Sequence, residues 1–155
     1  LYPLFKELEK HGVILSIHGE DPSALCIDRE QAFLPNLIDM VRDFPNLRII
    51  LEHISSADGI ETVLSLPDTV AATITVHHLL ITLDDVIKNP HNLCMPIAKT
   101  AADRERIGRA ALSGNPKFFF GSDSAPHPRS MKESGTVAAG VYTAPSALPL
   151  LVEFF

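Results

Sequence analysis

The stretch VILSIHGE, residues 13–20, joins a short apolar run to a histidine, a glycine and an acid. The continuous apolar run over 13–17 is typical of a strand buried on both faces, as the strands of parallel sheets are. Helical spacing precedes it over residues 2–10, with Pro3 suited to a first turn and Gly12 to the position past the end. A helix that leads into a buried strand predicts an α/β fold.

Further apolar runs alternate with helical segments along the rest of the chain. Strands are predicted over residues 47–51, 70–74 and 117–120. Helices are predicted over 35–43 after a short turn begun by a capping box of Asp28 and Gln31, over 56–66, over 84–88, from Thr100 to Gly114, and from Thr143 onward. This alternation predicts a parallel sheet, and 155 residues suffice for about one domain.

Each predicted strand is followed by side chains that can carry chemistry. His18 follows the first strand, His53 the second, the pair His77 and His78 the third, and Asp123 the fourth. Carboxyl ends of parallel strands lie on one edge of the sheet, and in a (β/α)8 barrel that edge holds the active site. Histidine nitrogens and carboxylate oxygens are zinc ligands. We therefore interpret His18, His53 and Asp123 as a candidate metal site, and expect the histidine pair to be structural or to lie behind the ligands.

Composition narrows the class of protein. The net charge of −6 argues against nucleic-acid binding, for which a basic face is expected. No apolar run approaches the roughly 20 residues that a membrane span requires. Cys26 and Cys94 form neither a zinc-type pair nor a disulfide framework, as is typical of reduced cytoplasmic thiols. We expect a cytoplasmic protein that binds neither nucleic acid nor a membrane.

The stretch GSDSAPHPRSMK, residues 121–132, resembles the dihydroorotase signature: Gly, Ser or Thr, Asp, any residue, Ala-Pro-His, four residues, Lys. LSIHGE and LEHISS are similar to the two single-histidine strands of that family. AATITVHHL resembles its next strand, and NLCMPIAKT its substrate-contacting loop. The resemblance extends over nearly the whole chain and is strongest for the short dihydroorotases of bacteria and fungi, which belong to the amidohydrolase superfamily.

The resemblance implies a (β/α)8 barrel of the TIM type with two zinc ions, of which residues 1–155 would form the carboxyl-terminal half, about strands five to eight. In the family, the first strand carries His-x-His followed by an arginine, and a later strand supplies a carboxylated lysine that bridges the zinc ions. These residues contain no His-x-His and no lysine in the expected strand context. The amino-terminal half is therefore expected to be absent, and the complete protein is expected to be a homodimer.

The resemblance also implies the chemistry, which is reversible, zinc-dependent cyclisation of N-carbamoyl-L-aspartate to dihydroorotate in pyrimidine biosynthesis. His18 and His53 would ligate one zinc ion and Asp123 the other. Asp123 would also carry a proton between the attacking hydroxide and the leaving nitrogen. The implied substrate-binding residues are His127, for the substrate carboxylate, and Met95, Ala139 and Gly140, for the ring amide.

Three other interpretations remain open at this point. A hydantoinase or allantoinase would share the metal chemistry, although the Ala-Pro-His segment disfavours it. A folded remnant could bind a partner subunit or one metal ion without turnover, since several family ligands are missing. A general α/β domain could use its histidines only structurally. Enzyme activity is expected of the complete protein, and the 155 residues alone are expected to be inactive.

Overall fold

The computed structural model describes all 155 residues and contains one four-stranded parallel sheet. Its strands are β1 (Ile14–Ile17), β2 (Arg48–Leu51), β3 (Val70–Ile74) and β4 (Phe118–Phe120), which lie side by side in chain order. The helices are α1 (Tyr2–Lys10), α2 (Arg29–Asp43), α3 (Ala57–Ser65), α4 (Val76–Leu80), α5 (Leu83–Lys88), α6 (Ala101–Leu112), α7 (Arg129–Lys132) and α8 (Ala147–Phe154), with a 3-10 turn at Pro90–Asn92. The predicted alternation is confirmed, and the architecture is that of part of a (β/α)8 barrel.

The core lies where the sheet packs against the surrounding helices. Most side chains on the central strands β2 and β3 are buried, with Ile49, Leu51 and Val70 at 1% exposure or less. Burial of one such aliphatic side chain contributes about 1.5–3 kcal/mol, which explains why these runs are continuously apolar. The two outer strands differ, because Ile14 on β1 and Phe119 on β4 remain 47% and 43% exposed. The sheet therefore ends in two open edges.

The second helix corrects the sequence prediction. Instead of a short turn followed by a helix from Pro35, α2 is one continuous helix that contains this proline. Proline removes one backbone hydrogen bond, but packing of the helix face compensates for the loss. That face buries Leu34, Leu37 and Val41. The prediction of a capping box at Asp28 is also wrong, because the Asp28 side chain forms no capping hydrogen bond. Gln31 instead donates a 2.7 Å hydrogen bond to Asp58 on α3.

The predicted starts of α3 and α6 are confirmed, whereas the predicted start of α8 is not. Ser56 caps α3, and Thr100 forms a capping box with Asp103 at the start of α6. The last helix begins at Ala147 rather than Thr143, because the Thr143 amide donates to Ser124 Oγ at 3.1 Å and holds this segment against the loop after β4. Helices α4 and α7 were not predicted. No helix combines the length and apolarity that a bilayer crossing requires.

Candidate functional site

Two strand ends bring a pair of histidines into contact. His18 directly follows β1, His53 lies two residues beyond β2, and Nδ1 of His18 is 3.1 Å from Nε2 of His53. Two nitrogen ligands of one tetrahedral zinc ion, each bound at about 2.0–2.1 Å, are about 3.3 Å apart. The spacing of this histidine pair therefore fits two ligands of one ion.

A carboxylate orients the first histidine. The Nε2–H of His18 donates a 2.8 Å hydrogen bond to Oε2 of Glu20, whose side chain is only 7% exposed. This contact places the ring proton on Nε2 and leaves a lone pair on Nδ1, the nitrogen that faces His53. Histidines that bind metals in proteins are commonly held in this way by a carboxylate on the other nitrogen.

The second histidine is buried and electrically neutral near pH 7. Burial lowers the pKa of His53, and this effect exceeds the opposing influence of the Asp123 carboxylate, while His18 lowers the pKa further. Neutral imidazole is the form that binds metals. Nδ1 of His53 is buried without a hydrogen-bond partner, which is unusual for a polar atom outside a functional site. Protonation state and spacing of this pair both suit a metal ion.

The backbone is strained where the candidate ligands are attached. His53 has a φ of 44° and Asp123 a φ of 37°, in the left-handed region that costs a non-glycine residue of order 1–3 kcal/mol. The His53 amide donates to Oγ1 of Thr73 at 2.6 Å, and this hydroxyl donates to Glu52 at 2.7 Å. A Cβ on Gly121 would lie 2.7 Å from Cβ of Thr73, so glycine is needed for β4 to end beside β3.

Asp123 reaches the same edge of the sheet from the end of β4. Its carboxylate acts electrostatically on His53, although no hydrogen bond joins the two side chains. The following residue fixes this loop, because Oγ of Ser124 accepts hydrogen bonds from the amides of Thr143 and Ala144 at 3.1 and 2.9 Å. The strand ends thus gather His18, His53 and Asp123 on one edge.

A second group of predicted residues lies together in the loops beyond β4. Nε2–H of His127 donates a 2.8 Å hydrogen bond to the carbonyl of Ala139. Gly140 has a φ of 142°, and a Cβ there would be 2.9 Å from Nε2 of His127, so this backbone passes close to the imidazole. Both residues line a cleft of about 470 Å³. No hydrogen bond joins this group to the histidine pair.

Two further residues of the quoted stretches, Lys132 and Met95, are held by specific contacts. Lys132, the last residue of the signature, is 4% exposed and its ammonium donates to the carbonyls of Leu93, Ala138 and Gly140 at 2.8–3.2 Å. The ammonium thus ties α7 to the loop at Leu93 and to the segment over residues 138–140. The sulfur of Met95 lies 3.7 Å from the thiol of Cys26.

A buried polar network positions the loop that carries His53, and sequence analysis missed it. Glu30 on α2 is 1% exposed and accepts hydrogen bonds from the amide and hydroxyl of Ser55 at 2.7 and 2.6 Å, and from the hydroxyl of Ser56. The buried ammonium of Lys99 donates to Ser55 Oγ at 2.7 Å. Ser55 therefore bridges a buried anion and a buried cation two residues from His53.

Replacement of Glu30 by alanine in the complete protein is expected to lower the free energy of unfolding by roughly 3–5 kcal/mol, because Lys99 loses its counter-charge in a buried site. Urea unfolding measures the change. Glu61→Ala is the matched control, since Glu61 pairs with Arg106 at 2.6 Å but its side chain is 63% exposed. Equal losses for the two variants would contradict a stabilising role of the buried network.

Comparison with known proteins identifies relatives of this chain. A family model described as Amidohydrolase matches residues 1–77. A probable dihydroorotase of Schizosaccharomyces pombe is 48% identical over 99% of this chain and 47% of its own length. The dihydroorotase of Saccharomyces cerevisiae is 43% identical over 99% of this chain and 47% of its own length. The chain therefore spans about half the length of the curated relatives it matches.

Solved structures show the same relationship. The crystal structure of Saccharomyces cerevisiae dihydroorotase in complex with 5-fluoroorotic acid superposes with a TM-score of 0.95 at 43% identity, over 99% of this chain and 47% of that one. An L-hydantoinase of Arthrobacter aurescens superposes with a TM-score of 0.84 over 97% of this chain and 40% of that one, but its 20% identity indicates only a shared fold. In sequence and in fold, the chain is similar over nearly its whole length to about one half of these dihydroorotases.

Proposed function

We propose that the protein to which this chain belongs is a dihydroorotase that interconverts N-carbamoyl-L-aspartate and dihydroorotate, a step of pyrimidine biosynthesis. The observation that carries the proposal is the pair His18 and His53, whose facing ring nitrogens are 3.1 Å apart, on the same sheet edge as Asp123. The names of the curated relatives support the substrate class. We further propose that residues 1–155 form the carboxyl-terminal half of the barrel domain and that the complete protein is a cytoplasmic homodimer.

The residues at the carboxyl-terminal edge of the sheet, called the rim below, are suited to hold two zinc ions. His18 and His53 would ligate one ion and Asp123 the other, and the bridging carboxylated lysine would come from the other half of the barrel. Bound zinc would supply Lewis-acid polarisation and a water of lowered pKa. Glu20 would keep Nδ1 of His18 unprotonated by accepting its Nε2 proton at 2.8 Å.

Asp123 would move the proton that the reaction requires. In ring opening, its carboxylate accepts a proton from the attacking oxygen and delivers it to the departing amide nitrogen. In ring closure the same carboxylate works in reverse, since one group must serve both directions of a reversible step. The exposure of Asp123 at the open edge of the sheet gives its carboxylate access to a substrate.

His127 would bind the substrate carboxylate. Its Nε2–H already donates to the Ala139 carbonyl, so a protonated ring still has Nδ1–H to donate. Backbone groups of Met95, Ala139 and Gly140 would hold the ring amide. Because the Ala139 carbonyl fixes the imidazole at 2.8 Å, the histidine would be oriented before substrate arrives.

His127→Ala in the complete protein is expected to weaken substrate binding by about tenfold to a hundredfold, because a charge-assisted hydrogen bond of roughly 1.5–3 kcal/mol is lost. Zinc content should not change. His91→Ala is the control, because His91 lines the same cleft but its Nε2–H donates an exposed 3.1 Å hydrogen bond to Glu133. Binding titration and elemental analysis provide the measurements, and zinc loss confined to the His127 variant would make this residue a ligand instead.

The decisive test of the proposed activity is an assay of the complete, zinc-loaded protein with dihydroorotate and, separately, with hydantoin and allantoin. Turnover of dihydroorotate is the expected result. Turnover of hydantoin or allantoin alone would identify a different cyclic amidohydrolase. Zinc binding without turnover of any of these substrates would leave a metal-binding remnant and overturn the proposal.

A further inference from the structure

Behind the rim, one buried histidine has no partner for either ring nitrogen. His77 on α4 is 3% exposed, yet both Nδ1 and Nε2 lack a hydrogen bond. Buried polar atoms are nearly always paired, and an unpaired one costs about 1–3 kcal/mol. His77 is not assigned to the metal or substrate groups of the proposed dihydroorotase site. Both ring nitrogens of His77 are therefore available to bind a ligand.

Two further donors surround this histidine. His78 and Cys94 are 2% and 1% exposed, and one donor atom from each of the three residues lies within 4.8 Å of the others. Sγ of Cys94 is 3.8 Å from Nε2 of His78. A sulfur and a nitrogen bound to one tetrahedral zinc ion, at about 2.3 and 2.0–2.1 Å, are about 3.6 Å apart. The Cys94–His78 spacing already fits an ion, and the third donor, on His77, lies within 4.8 Å of both.

The protonation states also suit a metal. Burial, reinforced by the nearby His53, lowers the pKa of His77 to about 4, so this ring is neutral near pH 7. Burial raises the pKa of the Cys94 thiol to about 11, so the sulfur would lose its proton only on binding a cation. Two nitrogens and a sulfur form a soft donor set that selects zinc-like ions over magnesium or calcium.

His78 can join the cluster by a change of tautomer. At present its Nε2–H donates to the Pro96 carbonyl at 2.9 Å, and Nδ1 lies 2.8 Å from the Thr75 hydroxyl. If the ring proton moves to Nδ1, this nitrogen donates to the same hydroxyl and Nε2 presents a lone pair toward Cys94. A ligand histidine whose other nitrogen is held by a hydrogen bond is the usual arrangement in zinc sites.

We propose that His77, His78 and Cys94 form a second metal site, which takes a soft divalent cation such as zinc through two nitrogens and one thiolate. Its ligands are different from His18, His53 and Asp123, and the proposal does not depend on the dihydroorotase activity. With three protein ligands, the site leaves a fourth position for water or another small donor.

Cobalt(II) titration of the complete, metal-free protein tests this site directly. Cobalt bound to a thiolate gives a sulfur-to-cobalt charge-transfer band in the near ultraviolet, which the histidines and aspartate of the rim cannot produce. The band is expected in the wild type and in Cys26→Ser, and is expected to disappear in Cys94→Ser. Cys26 is the matched control because it is the other free cysteine and lies outside the cluster.

A second variant keeps the test independent of any folding defect in Cys94→Ser. His77→Gln is expected to weaken the cobalt affinity measured by this band at least tenfold. The proposal is overturned if the wild type shows no thiolate band at saturating cobalt, if the band survives in Cys94→Ser, or if His77→Gln binds cobalt as tightly as the wild type. None of these outcomes bears on the rim, whose function is tested by turnover.

Discussion

The purified 155-residue chain is expected to show no dihydroorotase turnover, even at saturating zinc. In the proposed site, His18 and His53 would serve one ion and Asp123 the other, whereas a catalytic zinc ion commonly has three protein ligands. No steady-state formation of carbamoyl aspartate should exceed that of a zinc-only blank. The complete protein, assayed at the same molar concentration, is the positive control. Turnover by the chain itself, in a preparation free of host enzyme, would contradict the assignment of the missing ligands.

The open sheet edges suggest how activity could be restored. β1 and β4 each present an unpaired edge with half-exposed apolar side chains, and such edges favour association. Co-expression with the other half of the barrel is therefore expected to give a soluble complex with turnover. A complex that forms and binds two zinc ions per barrel yet remains inactive would show that a continuous chain is required.

Asp123→Asn in the complete protein is expected to lower kcat at least 10²–10⁴-fold, because the amide keeps the shape of the side chain but cannot accept a proton. Ring opening and ring closure should slow together, and the equilibrium between the two compounds must stay the same. The measurement is kcat in both directions for protein shown to contain its full zinc complement.

Asp21→Asn is the matched control for this experiment. Asp21 also follows β1, but its carboxylate accepts hydrogen bonds from the amide and hydroxyl of Ser23 at 2.9 and 2.7 Å and forms no hydrogen bond with His18 or His53. Its kcat should be close to that of the wild type. A zinc-replete Asp123 variant within a few fold of the wild type would exclude Asp123 as the proton carrier. Glu20, which contacts His18, would then be the next candidate.

The strand ends could be predicted because they depend on local pattern. Continuous apolar runs mark the buried strands, and parallel topology then places His18, His53 and Asp123 on one edge without any distance information. Their spacing could not be predicted, since the 3.1 Å contact of the histidines depends on the register of β1 against β2.

Other features could not be read from the chain because distant residues create them. Glu30 occupies an ordinary first-turn position of a helix, and only the folded chain brings it to Ser55 and Lys99. Pro35 suggests a helix boundary, but burial of the helix face overrides this local signal. The partnerless His77 follows a strand, as the proposed rim ligands do, and what sets it apart is that neither of its ring nitrogens has a hydrogen-bond partner.

The left-handed backbone angles at His53 and Asp123 have an evolutionary consequence. Glycine adopts a φ of 44° or 37° with little strain, so substitution there would relieve the backbone while it deletes a proposed ligand. Selection for stability and selection for catalysis therefore oppose each other at these two positions. In a lineage freed from the need for the proposed activity, these are positions at which we expect glycine to replace the proposed ligand early, so that loss of function and gain of stability would arise from the same substitution.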